Sequence, residues 1–498
     1  MDIFSHLLDG FSVALSLKNL LFCFIGTVIG TLIGVLPGIG ASATISILLP
    51  TTFGMEPVTA IIMLAGVYYG AMYGGSTTSI LVNIPGESAA IITCLDGYQM
   101  ARQGRAGPAL GMSAFGSFIG GTASIIGLML LAPVLARVAL KFGAPELFAL
   151  MLFGLTMVTY LCMGSITKGL IMAVAGFAVS TVGMDPITGT SRFSLGILTL
   201  IDGVGIVPAA MGMFGVGEVL TNIEQSVKKE IFSGKISDLL PTMKDWVDSK
   251  WAIARGTLIG FFLGILPGAG TVIPTFLAYT LEKRFSSHPE KFGTGVIEGV
   301  ASPETANNAA TGGSLVTLLS LGIPPNVVLA VLLGGFIIHG IQPGPLLISK
   351  HPELFWGTIS SMFLGNGMLL ILNLPLIGMW VRILRVPYRI LFPLILLFSF
   401  IGVYSLNNNK YEILITVGFG MFGYLMRKFG FEGAPFLMAL IMGPMLETTL
   451  RQSLLFEDLS IFFRRPISAT VLTITFLLVI SALFPNLVRK KKSLEEKA

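Results

Sequence analysis

The sequence predicts an all-α polytopic membrane protein, with roughly 12 transmembrane helices in two repeated halves arranged as an inverted pair, and broken helices or re-entrant hairpins at matching places. Three observations predict it. Hydrophobic residues fill 53% of the 498 positions and charged residues 11%, mean hydropathy is +0.85, and apolar runs long enough to cross a hydrocarbon core recur along the chain. One of these runs contains GVLPGIG at 34–40, built from the residues that most weaken a helix. The interruption then returns, for GTVIGTLIGVLPGIGASAT at 26–44 is echoed by GTLIGFFLGILPGAGTVIP at 256–274.

In chain order, candidate spans fall near 11–33, 58–82, 107–136, 145–162, 166–183, 196–220, 252–280, 293–321, 353–380, 387–404, 411–427, 431–449 and 466–487, the first and seventh being long enough to hold a break. The opening MDIFSHLLDGFSVALSL lacks the basic start and small-residue cleavage site of a signal peptide and is expected to be retained. After each interruption comes a second matched segment, YGGSTTSILVNIPGES at 73–88 and TGGSLVTLLSLGIPPN at 311–326. The chain thus divides into an N-terminal membrane repeat (1–220), a connector (221–251), a C-terminal membrane repeat (252–450) and a last helix with a basic tail (451–498). Mixed charge interleaved with Ile, Leu and Trp makes the connector an amphipathic element on the membrane surface, with a plain solvated loop as the alternative.

Loop charge bears on the relation between the halves. Residues 51–57 contain no Lys or Arg, whereas the equivalent 281–292 contains Lys283, Arg284 and Lys291. After the Ile-Pro segments the bias reverses, with Arg102 and Arg105 in the first half against Lys350 in the second. Positive residues mark cytoplasmic loops, so equivalent loops face opposite sides, which favours inversion over a parallel repeat. The Lys-rich connector and tail pull the other way, because an odd number of crossings per half does not put both inside; the orientation of the ends stays open.

Composition also excludes function classes. The formal net charge of +5 comes mainly from loops and the tail VRKKKSLEEKA, which suits a lipid bilayer, and no aromatic-interleaved basic face points to nucleic acid. Cys23, Cys94 and Cys162 have no metal-site spacing and are expected to be buried free thiols. His6, His288, His339 and His351 are scattered, and no phosphate loop or His-Glu-x-x-His motif occurs, so neither an enzyme nor a bound cofactor is expected.

What remains is binding inside the membrane. Irregular backbone persists in a bilayer only where it is buried in protein or lines a wet cavity. Paired breaks at corresponding positions therefore point to a site: half-helix N-termini offer N–H groups to an anion, and freed carbonyls offer a place for Na⁺. Helix-packing notches are the alternative explanation of each Gly-Pro run, and duplication in intact order argues against it. Beside the first break stand Ser76, Thr77, Thr78, Ser79 and Asn83, whose hydroxyls and amide both donate and accept. In the second half, GVIEGVASPETANNAATGGS places Glu298, Glu304, Asn307, Asn308, Thr311 and Ser314 in or at the mouth of an apolar span, with Thr317 following. An interior Glu304 needs a proton, a cation or a polar cavity; the alternative is a helix-terminal charge at the membrane edge. Glu87 and Asp96 carry the same two readings, the edge being favoured by Arg102 nearby. Lys168 and Arg137 sit near predicted span ends, so an anion is expected to be held by helix N-termini, hydroxyls and amides.

GVLPGIG and GILPGAG, together with YGGSTTSILVNIPGESAA, DGYQMARQGRAGPALG and ASPETANNAATGGS, make the chain resemble the large membrane subunit of the tripartite tricarboxylate transporters, the TctA family, over roughly 15–485. The resemblance implies a multi-pass protein of the bacterial inner membrane that imports carboxylates by secondary transport on an ion gradient. Its partners would be a small, TctB-like membrane subunit and a periplasmic, TctC-like solute-binding protein. By the same resemblance Pro37, Gly38, Gly40, Pro267, Gly268 and Gly270 fall in signature loops. The substrate-binding set expected is then these six with Ser76, Thr77, Thr78, Asn83, Asn307, Asn308, Thr311 and Ser314. Glu304, Ser79 and Thr317 are the ion-coupling candidates, for Na⁺ at the broken-helix carbonyls or for H⁺. A carboxylate channel, or a transporter of another small organic anion, is the competing expectation.

Overall fold

Glycine recurs at every fourth position in 26, 30, 34 and again in 256, 260, 264, and these stripes decide how each half packs. The computed structural model describes residues 3–36, 40–160, 165–185, 187–224, 239–383, 388–455 and 458–483. Pro37, Gly38, Cys162, residues 225–238 of the connector and the basic tail lie outside the described residues.

The first half runs α1 (Ile3–Ala14), α2 (Leu17–Val35), α3 (Ala41–Leu48), α4 (Pro57–Val82), α5 (Thr93–Arg102), α6 (Ala106–Ala139), α7 (Ala144–Tyr160) and α8 (Ile166–Ser180). A two-stranded hairpin, β1 (Gly183–Met184) with β2 (Ser191–Arg192), leads to α9 (Ile206–Ala210), which winds through a π-helical stretch at Met211–Val216 into α10 (Gly217–Glu224). The second half runs α11 (Met243–Ile265), α12 (Val272–Phe285), α13 (Glu298–Leu321), α14 (Val327–Ile338), α15 (Leu347–Lys350), α16 (Pro352–Asn373), α17 (Ile377–Ile383), α18 (Tyr388–Asn407), α19 (Lys410–Lys428) and α20 (Gly433–Leu454). Short α21 (Ile461–Arg464) and α22 (Pro466–Leu483) follow. Among the described residues, 6 helices are long and apolar enough to cross a membrane, and shorter apolar helices accompany them; the protein is a multi-pass, all-α membrane protein.

Both glycine stripes press against the next long helix. Gly26, Gly30 and Gly34 of α2 meet the backbone of Met63, Val67 and Ala71 in that order, so α2 and α4 run parallel. Gly256, Gly260 and Gly264 of α11 meet Ser302, Ala306 and Ala310 of α13 in the same way. Small residues let backbones approach where lipid supplies no hydrophobic drive between helices. Parallel neighbours need a return path, and the interruptions provide it. In the second half, Arg255 donates to both carboxylate oxygens of Glu282 at 2.8 and 2.6 Å, pairing the middle of α11 with the far part of α12 as a hairpin whose tip is the Leu-Pro-Gly turn. In the first half α3 and the turn Leu49–Thr52 return the chain. α4 and α13 are buried along nearly their whole length. Each takes the long helix of the other half: α6 packs on α13 and α16 on α4.

The first and seventh expected spans both contain the break they had room for, and other expectations are corrected by this architecture. The span 11–33 is two helices, because Ser16 caps α2 by accepting the Asn19 N–H at 3.4 Å. The span 252–280 is the α11–α12 hairpin, and α3, α5 and α14 are short helices not anticipated. Residues 196–205 are not helical apart from one short turn, since Gly196, Gly203 and Gly205 interrupt an apolar stretch that resembles a span in composition alone. The hairpin before it is pinned by a charge cluster. Arg192 reaches Glu447 with two nitrogens at 2.7 and 3.1 Å, and Arg451 bridges Glu447 and Asp185 at 2.6 and 3.1 Å. The amides of Thr188 and Ile187, helped by Arg451 and Arg192, hold the Asp185 carboxyl down to about 2.

Candidate functional site

The start of α3, the Leu-Pro-Gly turn of the second half and the two Ile-Pro segments come together. A cavity of about 560 Å³ is lined by Gly40 and Ser42, by 85–88, by 268–273 and by 325–328, with Tyr68 and Met72 of α4 forming one wall. Gly268 and Gly270 adopt left-handed backbone, φ 87° and 56°, which explains glycine at both. They differ in their surroundings. A Cβ on Gly268 would strike the backbone of Met157 and Val158, whereas one on Gly270 would find only the Asn326 Cβ at 3.8 Å. The first is a packing contact and the second faces open space.

The halves are not equivalent at this cavity. Glu87 accepts the Ala41 N–H at 2.5 Å and so places a carboxylate on the N-terminus of α3. The matching position in the second half is Asn326, which caps α14 by accepting the Leu329 N–H at 2.9 Å and donates to Tyr68 Oη at 3.1 Å. No side chain caps α12, and its opening residues Thr271, Val272 and Ile273 line the cavity.

Several polar residues marked in the sequence satisfy the backbone of the breaks. Thr78 donates to the Val35 carbonyl at 2.8 Å, Ser314 to Gly264 at 3.1 Å and Thr317 to Ile265 at 2.6 Å, closing the last carbonyls of α2 and α11 in corresponding fashion. Ser79 donates to Gly75 and Ala90, and Thr311 to Asn307. Asn83 is exposed, away from the cavity lining, and ends α4 in the left-handed conformation. Thr77 is buried within α4, and Pro267 lies against Gly154.

Glu304 lies inside the bundle, 1% exposed. Its carboxylate receives Ser76 of α4, Thr93 at the start of α5 and Ser113 of α6, the last at 3.0 Å. No Lys, Arg or His among the described residues pairs with it. Four helices of both halves thus converge on one acid surrounded by hydroxyls. Such an arrangement suits a proton or a small cation, because an isolated carboxylate in this setting is expensive and hydroxyl oxygens serve as either donors or ligands. Ser76 stands one helical turn beyond the cavity residue Met72, whose carbonyl it also reaches at 3.4 Å. One turn along α13 from Glu304, Asn308 donates to the Glu304 carbonyl, and neither side-chain polar atom of fully buried Asn307 has a partner among the described residues.

Asp96 holds this nest in register. Its Oδ1 accepts the N–H groups of Gly293, Gly295 and Val296 at 2.8–3.0 Å, and its Oδ2 the Tyr279 hydroxyl at 2.8 Å, tying α5 to the loop that starts α13. Hydrogen bonds to a charged group contribute about 1.5–3 kcal/mol each. Asp96→Ala is therefore expected to lower the thermal unfolding temperature of the purified protein by several degrees, and an unchanged melting curve would refute the tie.

Sequence reasoning missed Thr93, Ser113 and Tyr68, and it missed Arg427. This arginine ends α19 yet lines the cavity, paired with Glu218 of α10. Its position after an apolar run carries no signal of a site; only the packing of α19 on α10 turns it inward.

Residues 20–438 match the Tripartite tricarboxylate transporter TctA family. This chain belongs to the TctA family. A relative from Agrobacterium vitis, described as an uncharacterized 52.8 kDa protein in the TAR-I ttuC' 3' region, is 48% identical over 493 residues, covering 99% of this chain and 98% of its own length. A second from the same organism, described as an uncharacterized protein in the TAR-II ttuC' 3' region, is 47% identical over 234 residues, 47% of this chain and 97% of its own. No solved structure matches this TctA-family chain.

Proposed function

We propose that the chain is the large membrane subunit of a binding-protein-dependent tripartite system, importing di- or tricarboxylates of the citrate type across the bacterial inner membrane on a Na⁺ or H⁺ gradient. Its partners in this reading are a small membrane subunit and a periplasmic solute-binding protein that delivers the carboxylate. The observation that carries the proposal is the cavity formed by the start of α3, the second Leu-Pro-Gly turn and both Ile-Pro segments, with the Glu304 nest one helical turn from it. Charge supports ion coupling. Glu87, Glu218 and Glu432 line the cavity against the one arginine among its described lining residues, so a polyanion entering alone meets net repulsion. Protons or Na⁺ entering with it relieve that repulsion, and Glu304 is the group we assign to the coupling ion.

The matched pairs α2–α4 with α11–α13, and the exchanged pairs α6–α13 with α16–α4, support two repeats of one design. We assign them an inverted relation on the loop charges, with 1–220 and 252–450 as the repeats and the connector between.

The test is uptake of radiolabelled citrate into cells, with the solute-binding protein present and then absent. Accumulation above the external concentration, abolished by collapsing the gradient, is the expected result; uptake that only equilibrates the two sides would make the protein a channel. Within this reading Gly270→Asn is expected to fold, because asparagine tolerates left-handed backbone and the space beyond is open. Its side chain enters the cavity, so citrate uptake should fall on the order of tenfold with the melting temperature nearly kept. Wild-type uptake would show that the cavity is not on the path.

A further inference from the structure

The cavity contains one cationic side chain among its described lining residues, and it is already engaged. Arg427, in the last turn of α19, is in close contact with Glu218 of α10. A guanidinium presents a planar fork of five N–H donors that matches a carboxylate with two parallel bonds, which leaves donors over for a second acceptor. Glu218 accepts from Asn222 on its other oxygen at 3.3 Å. Both partners remain about a quarter exposed, at 28% and 23% of the side chain, on the cavity wall.

The scaffold nonetheless fixes where Arg427 stands. Lys168 of α8 donates to the Phe429 carbonyl at 2.6 Å and lies 5.0 Å from the Phe431 ring centre, securing the turn that follows α19. Close backbone contact of Gly420 and Gly423 with the π-helical stretch and α10 sets the other side. The arginine is firmly placed, and its guanidinium and the glutamate beside it both face the cavity.

We propose that Arg427 is the recognition residue for a carboxylate group of the transported anion, and that Glu218 is its internal competitor, occupying the guanidinium until a substrate carboxylate displaces it. The proposal rests on the carboxylate-transporter reading above. The exchange is one of like for like: one carboxylate leaves the guanidinium and another takes its place. Released Glu218 adds a negative charge to a wall that already contains Glu87 and Glu432, which makes binding of the anion favour simultaneous binding of a cation or proton.

The experiment uses the purified full-length chain in lipid nanodiscs and citrate as the probe, with affinity read by thermal shift and calorimetry, alongside uptake in cells that also express the partner subunits. Arg427→Gln is expected to weaken citrate binding on the order of 30-fold or more, and Arg427→Lys to restore part of it. Glu218→Gln should bind citrate about fivefold more tightly than wild type, because the competitor is gone. A merely structural ion pair predicts the reverse for Glu218→Gln, with unchanged or weaker binding, and that result overturns the proposal, as does a wild-type chain that binds no citrate. Should Arg427→Gln fail to fold, Glu218→Gln and Arg427→Lys decide alone. The two readings separate: the expected binding pattern without any uptake would sink the transporter reading and leave the recognition site, whereas uptake untouched by Arg427→Lys and Glu218→Gln would sink the recognition site and leave the transporter.

Discussion

Glu304→Gln is expected to leave the protein folded and to abolish gradient-driven carboxylate uptake. Glutamine has the same length as glutamate, and the hydroxyls of Ser76, Thr93 and Ser113 that now face the carboxylate turn to accept from an amide as readily as they donate to an acid. Folding therefore survives. In the proposed coupling role, what the substitution removes is the negative charge that would hold a cation, or the group that would carry a proton. With charged hydrogen bonds contributing about 1.5–3 kcal/mol each, the loss at the coupling-ion site is on the order of 100-fold in affinity or more. The measurement is citrate uptake as a function of Na⁺ concentration and pH, together with the melting temperature of the purified variant. A variant with wild-type rate, ion dependence and pH profile would make Glu304 a structural acid and move coupling elsewhere.

The second large effect concerns folding. Gly260→Leu should remove the folded protein, since even a Cβ at this position lies 2.8 Å from both the Ala306 Cα and the Ala309 Cβ and closer still to the Ala306 carbonyl oxygen. Overpacking of flexible side chains costs about 1–3 kcal/mol, but here the obstacle is the backbone of α13, which cannot move without shifting Glu304, two positions before Ala306. Size-exclusion profiles of detergent extracts read the result directly. A monodisperse peak with wild-type melting would mean that α11 and α13 do not pack as described. Gly30→Leu, at the matching place in the first half, should behave alike, for its Cβ would meet the backbone of Val67 and Gly70.

These two glycines and the two of the second Leu-Pro-Gly turn show how far the sequence is legible. Spacing alone marks 26, 30, 34 and 256, 260, 264 as small-residue stripes, yet in the sequence they merge with the turn glycines into one motif. The structure divides that motif by cause: Gly260 and Gly264 admit a neighbouring helix, Gly268 needs left-handed backbone against Val158, and Gly270 opens on the cavity. The polar segments divide in a similar way. Thr78, Ser314 and Thr317 close carbonyls that the breaks leave open, while Ser76 turns to Glu304. Adjacent hydroxyls on one helix point about 100° apart, and a list of residue types does not say which direction meets an acid.

The sequence by itself determined the membrane setting, the all-α class, the duplication and the four segments that line the cavity, because each depends on local composition or on repeated order along the chain. Hydrocarbon penalises every unpaired backbone group, so broken helices at matching positions had to be sheltered by protein, wherever that shelter lay. Only the tertiary structure decided the rest. That α6 lies on α13, bringing Ser113 to Glu304, and that α19 lies on α10, bringing Arg427 to Glu218, are contacts between residues 191 and 209 positions apart. Side-chain partners at such separations are set by which helix faces pack together. Helix packing in a bilayer follows the shape of small-residue grooves along entire elements, a property that belongs to the assembled surfaces and not to any one stretch of the chain.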